Sequence, residues 1–269
     1  MSGRLGRAFD SAGRERRGSF IPFLTSGFPD PPESDRLALA LCEEGADALE
    51  LGVPFSDPLA DGATIQRTSQ IALENGTTLA HVLGQALRIR ARHETPLILM
   101  SYLNPIVRYG ESRFVADARE AGVDGVILVD LPPEEEPELW DRFQREGIDT
   151  IALVAPTTDP RRLPGIAFRG RGFLYVVARL GVTGAGSEDP AIGALLARLR
   201  ALSPLPRCIG FGIDAATDLG RYRGLAEGVI VGSSLLRELL AAPDAAAREA
   251  GARAFARAIR SRLAGLRQA

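Results

Sequence analysis

The sequence predicts an α/β fold of the (β/α)8 TIM barrel class, one domain over residues 1–269 with an extra helix at its N-terminus. Eight short apolar runs rich in β-branched residues recur along the chain, amphipathic helical stretches lie between and after them, and no linker or low-complexity segment divides it. Apolar strands alternating with helices imply parallel strands covered on both faces. Eight such units in 269 residues are the signature of a closed barrel. A doubly wound open sheet is the alternative that shares this alternation.

The elements follow in order. The opening stretch "MSGRLGRAFDSAGRERRGSF" carries arginines but lacks the apolar core of a secretory signal, and Asp10 and Glu15 speak against a transit peptide. It is expected to be a solvated helix. The first strand is "SFIPFLTS", followed by the helical "DRLALALCEEG". The second strand, "DALELGV", leads through "PFSDPLAD" into a helix opening at "DGATIQ", with "LAHVLGQALRIRARHE" helical after it. Strands three to six read "PLILMSY", "DGVILVD", "DTIALVA" and "GFLYVVA", with "EEEPELWDRFQREG" helical before the fifth. "AIGALLARLRAL" precedes the seventh strand, "RCIGFG"; the eighth is "EGVIVG", and "AAAREAGARAFARAIRSRLAGL" closes the chain as helix.

Composition removes several function classes. A formal charge of −2 gives no field that would recruit nucleic acid or a membrane surface, and no apolar run approaches the length of a membrane span. Cys42 and Cys208 sit far apart in apolar stretches and read as reduced core residues of a cytoplasmic protein. All 32 basic residues are arginine, so a lysine Schiff base and lysine-linked pyridoxal phosphate are both excluded. The two histidines, His81 and His93, have neither zinc-site spacing nor a neighbouring cysteine. Chemistry here must run on carboxylates, hydroxyls and backbone dipoles.

In a barrel the reactive groups gather at the C-terminal ends of the strands, and the unusual residues fall there. Alternation in the second strand puts Ala48, Glu50 and Gly52 on one face and Leu49 and Leu51 on the other. The leucines suit the helix side, so Glu50 points into the barrel between small neighbours. Burial of an unpaired carboxylate raises its pKa and equips it to give and take protons near neutral pH; a structural ion pair with an arginine is the competing role. Asp61 follows in a loop stiffened by Pro54 and Pro58 and carrying Phe55 and Leu59. It fits a site carboxylate and equally the N-cap of the next helix. Phe55 and Leu59 suggest a surface that meets a substrate or another chain. "RLGVTGAG" (179–186) reads either as a lid tipped by Thr183 or as an ordinary connection. "GFGID" (210–214) and "VGSSLL" (231–236) are glycine turns after adjacent strands, where barrels bind phosphate.

The segments "FIPFLTSGFPD", "ADALELGVPFSDPLADGATIQ", "MSYLNPIVRYG", "GVDGVILVDLPPEE", "RLGVTGA", "GFGI" and "VGSSLL", in that order, resemble the tryptophan synthase alpha chain family over nearly the whole sequence. That resemblance implies a (β/α)8 barrel lyase that cleaves indole-3-glycerol phosphate to indole and glyceraldehyde 3-phosphate, without a cofactor of its own. It implies a partner, the tryptophan synthase beta chain, in an alpha2beta2 complex, and no nucleic-acid or membrane partner. By position, Glu50 matches the family's acid/base and Asp61 the carboxylate facing the indole nitrogen. Phe23, Met100, Tyr102, Ile127, Tyr175 and Phe211 match substrate-pocket positions and Thr183 a lid residue. Gly184, Gly212, Gly232 and Ser233 match phosphate-binding positions. The sequence departs from the family pattern at Ala63, where proline is expected, at Met100, where leucine is commoner, and in "AGSEDP" after the lid threonine. A related phosphosugar barrel and a catalytically silent alpha chain kept to activate its partner are the alternatives; the intact Glu50, Asp61 and glycine turns argue against the second.

Overall fold

The structure, a computed structural model, describes residues 3–177, 190–210, 219–264 and 266. Its elements are α1 (Gly3–Arg14), β1 (Ser19–Thr25), α2 (Pro31–Glu43), β2 (Leu49–Gly52), α3 (Ala63–Glu74), α4 (Leu79–Arg90), β3 (Leu97–Ser101), α5 (Leu103–Tyr109), α6 (Glu111–Glu120), β4 (Gly125–Leu128), α7 (Pro137–Arg145), β5 (Asp149–Thr150), β6 (Ala152–Val154), α8 (Leu163–Arg169), β7 (Leu174–Val177), α9 (Pro190–Leu202), β8 (Arg207–Gly210), β9 (Gly228–Val231), α10 (Ser233–Ala241) and α11 (Ala245–Arg262).

Every strand pairing is parallel, in the order β5-β4-β3-β2-β1-β9-β8-β7-β6. The two ends of that order, β5 and β6, are consecutive in the chain with only Ile151 between them. They form one barrel position: its first half pairs with β4 and its second with β7. The sheet therefore closes on itself, as a (β/α)8 barrel requires, and the open-sheet alternative falls. Every residue of β1, β2, β3, β4, β8 and β9 is buried, because helices cover the outside while side chains fill the inside.

One device recurs at the N-terminal ends of the strands. Asp47, just before β2, accepts the Phe20 N–H of β1 at 2.8 Å. Asp124, just before β4, accepts the Leu97 N–H of β3 at 2.9 Å, and Glu227, before β9, accepts the Arg207 N–H of β8 at 2.7 Å. Each acid also meets an arginine: Asp47 takes two bonds from Arg17, Asp124 bonds Arg90 and Arg4, and Glu227 pairs with the Arg207 guanidinium. The N-terminal face is thus latched by paired charges.

The first helix departs from expectation. Leu5, Gly6, Phe9 and Ala12 of α1 are buried, so α1 is amphipathic rather than merely solvated. Leu5 packs beside Gly125 and Gly172, and the Phe9 ring lies 5.7 Å from that of Phe173. Phe173 in turn lies 6.4 Å from Tyr175. With Arg4 tied to Asp124 and Glu94, the helix floors the barrel at the end opposite the predicted site.

Candidate active site

Glu50 sits in β2, in register with Phe23 of β1 and Ile98 of β3. Its side chain is fully buried, and neither carboxyl oxygen has a hydrogen-bond partner. The ion pair that competed with the functional role is therefore absent among the described residues. Burial, reinforced by the nearby charge of Asp61, pushes its pKa up to about 8. At neutral pH this acid holds its proton in a dry setting.

Asp61 is not the helix cap that its spacing allowed. The N-cap of α3 is Gly62, with no side-chain capping bond. The Asp61 main chain is held instead by its N–H on Pro58 O at 3.0 Å and by the Gln66 amide on its carbonyl at 2.8 Å. This leaves the carboxylate turned toward the Tyr102 hydroxyl. Burial raises the Asp61 pKa to about 6, with the Tyr102 hydrogen bond working in the other direction. The two acids thus occupy environments that separate their ionisation: at pH 7 Asp61 is charged and Glu50 is neutral.

Tyr102 ties the arrangement together from the end of β3. Its hydroxyl accepts the Ala60 N–H at 2.9 Å, and its ring lies 5.1 Å from that of Phe55. Desolvation, with the Asp61 charge next, raises the pKa of its phenol. The two apolar residues of this loop have different fates: Phe55 is half-buried against its own chain, whereas Leu59 is 95% exposed.

A narrow cleft opens here, lined by Phe23, Asp61, Met100 and Tyr102. Gly52 makes room for it, since a Cβ there would run into the Phe23 ring. Ile127 is fully buried and pairs in register with Met100. Tyr175 is buried in β7, and its hydroxyl occupies the space that a side chain at Gly210 would need. Gly232 and Ser233 stand at the start of α10, Gly232 as its N-cap without a side-chain capping bond. Thr183, Gly184, Phe211 and Gly212 lie outside the described residues.

The cleft also has walls that the sequence reading missed: Val53, Ile65, Ser69, Ser101 and Val129. Ser69 carried a signal, being a hydroxyl four positions after Ile65 on the buried face of α3. The histidines are accounted for by local structure. His81 completes a capping box with Thr78 at the start of α4, and His93 Nδ1 lies 2.8 Å from the Thr95 hydroxyl. Cys42 and Cys208 are buried free thiols, and desolvation pushes Cys42 up to about 11. Among the described residues no cluster of His, Cys, Asp and Glu could hold a metal ion, and no helix is long and apolar enough to cross a membrane.

Comparison with known proteins places this geometry. Residues 9–262 match the family described as "Tryptophan synthase alpha chain". The tryptophan synthase alpha chain of Desulfosudis oleivorans is 43% identical over 247 residues, 90% of this chain and 93% of that one. That of Geotalea uraniireducens is 46% identical, covering 87% of this chain and 88% of its own. Among solved structures, tryptophan synthase subunit alpha from Legionella pneumophila superposes with a TM-score of 0.87 at 36% identity, over 98% of this chain and 99% of that one. Mycobacterium tuberculosis tryptophan synthase gives 0.87 at 35% identity, over 97% and 99%.

Proposed function

Since the chain belongs to the tryptophan synthase alpha chain family, we propose that its Glu50 and Asp61 carry the family's retro-aldol cleavage of indole-3-glycerol phosphate to indole and glyceraldehyde 3-phosphate. The observation that carries this assignment is the pair itself: a buried, unpartnered Glu50 raised to about 8 beside a coupled Asp61 at about 6.

The reaction needs one proton delivered to indole C3 and one removed from the side-chain hydroxyl as the carbon–carbon bond breaks. Protonation at C3 leaves an indoleninium with positive charge on the ring nitrogen. Glu50, neutral at pH 7, is the acid for C3. Having given up that proton, it is the base that takes the hydroxyl proton, so the net proton count is zero. Asp61, charged at pH 7, accepts the indole N–H and stabilises the cation. The indole ring itself accepts the electrons of the broken bond, so the step calls for no cofactor. Phe23, Met100, Ile127 and Tyr175 are assigned to the ring pocket with Tyr102, and Phe211 and Thr183 are assigned by family position. Gly232 and Ser233 at the start of α10, with Gly184 and Gly212, are assigned to the phosphate, where helix-end N–H groups favour an anion.

The partner is assigned as a tryptophan synthase beta chain in an alpha2beta2 complex, and Leu59, exposed two residues before Asp61, is the apolar anchor offered to it. Phe55 packs on Tyr102, so replacing it would disturb the site, and Leu59 is the cleaner position at which to test the docking. Incubating the isolated chain with indole-3-glycerol phosphate tests the function. Formation of indole and glyceraldehyde 3-phosphate in equal amounts is expected; an inert chain that still accelerates the beta reaction would identify the catalytically silent alternative.

A further inference from the structure

We infer that Asp130 is a positioning residue that sets Asp61 by way of Tyr102, an inference that rests on the assignment of Asp61 to catalysis. The β3–β4 ladder ends where the Val129 N–H donates to Ser101 O at 3.0 Å. One step beyond it the backbone no longer pairs, and a side chain takes over: Asp130 Oδ1 accepts the Leu103 N–H at 2.8 Å. Leu103 is the first residue of α5, and Tyr102 is its N-cap, with no capping bond from its own side chain. An orphan N–H at the start of that helix is thereby satisfied from another strand, by a negative charge where the helix dipole favours one.

The bond fixes the main chain on which the Tyr102 phenol is carried. That phenol then accepts the N–H of Ala60, the residue before Asp61, and faces the Asp61 carboxylate, whose pKa it lowers. Asp130 itself is exposed and does not line the cleft. Its contribution therefore passes through one backbone bond and one ring. The short, irregular loop carrying Asp61 has few other anchors: the Asp61 N–H on Pro58 and the Gln66 amide on the Asp61 carbonyl are both local.

The test uses the isolated full-length chain and indole-3-glycerol phosphate cleavage. Asp130→Ala is expected to lower kcat on the order of 10-fold with indole affinity unchanged, since a misplaced Asp61 weakens the transition state rather than ring binding. Asp130→Asn should restore most of the rate, because its Oδ1 still accepts the N–H. Leu103→Pro removes the donor instead of the acceptor. Proline suits the first helical position, and Tyr102 already has the extended backbone, φ −83° and ψ 160°, that precedes a proline. Leu103→Pro should reproduce the loss, and Asp130→Ala should add nothing to it. Wild-type kcat in Asp130→Ala, or a full Asp130→Ala loss on top of Leu103→Pro, would overturn the relay. Asp61→Asn is assayed in parallel: if it stays active the assignment of Asp61 itself fails, and if it is dead while Asp130→Ala is normal only the relay fails.

Discussion

Asp47 and Glu50 stand three positions apart in one strand run, and the barrel surrounds them oppositely. Asp47, at the N-terminal end, takes two guanidinium bonds and a backbone N–H. Glu50, inside the barrel, takes none. Asp124 and Glu227 repeat the first pattern, and Asp61, with no arginine beside it among the described residues, leans toward the second. A carboxylate whose charge is compensated holds strands together. One whose charge is left uncompensated is destabilising at neutral pH and is available to move protons. Barrel folds separate these tasks spatially, with stability at one face and chemistry at the other.

The comparison breaks first at Glu50. Glu50→Gln keeps the shape and removes the proton, so turnover should fall on the order of 10²-fold or more while the fold persists. Steady-state assay of the variant checks this; near-normal turnover would remove Glu50 from the chemistry. Asp61→Asn should also collapse turnover, by about 10²-fold, through loss of the charge opposite the indoleninium. Its melting temperature should barely move, because Gly62 and not Asp61 caps α3.

At the opposite face the expectation inverts. Asp124→Ala removes the counter-charge of Arg90 and frees the Leu97 N–H, which should cost about 3 kcal/mol of stability in denaturant unfolding. The kcat of the molecules that remain folded should not change. A lowered kcat there would blur the division between the two ends.

The pH dependence sharpens the same contrast with a smaller effect. A carboxyl whose folded pKa is raised contributes stability below its unfolded value and loses it as pH rises toward the folded one. For Glu50 that window runs from the ordinary carboxylate range up to about 8. Wild-type melting temperature should therefore decline across it, and Glu50→Gln should flatten the decline. The kcat/KM profile should rise through the Asp61 ionisation near 6 and fall as Glu50 ionises near 8, as macroscopic values of a coupled pair. Smallest of all, Leu59→Ser should leave the lone chain's rate unchanged and weaken only association with the beta chain, measurable by titration.

Much of this was legible in the sequence because it depends on local pattern. The apolar runs and helical periods mark the strands and their order, and alternation alone turns Glu50 inward. Leu5, Phe9 and Ala12 recur at helical spacing, so the buried face of α1 was readable too; the arginines around it drew attention away. From local pattern alone the role of Asp61 was not readable, although the family resemblance named it. Whether a carboxylate caps its helix or turns away depends on Tyr102, 41 positions later in the sequence, and on a bond to Ala60 that no spacing announces. The same holds for Asp130 and Leu103, and for the switch of pairing partner at Ile151 inside what reads as one uninterrupted strand.

The floor made by α1 has a consequence for traffic. With Leu5 beside Gly125 and Gly172, Phe9 against Phe173 and Phe173 against Tyr175, the described residues plug the end of the barrel opposite the site. Substrate, both products and the water they displace must all use the rim. Arrival and departure then compete for one doorway, and whatever sits over it governs the order in which fragments leave. A partner docked beside Leu59 would therefore act on release as well as on the chemical step, without touching a reacting atom.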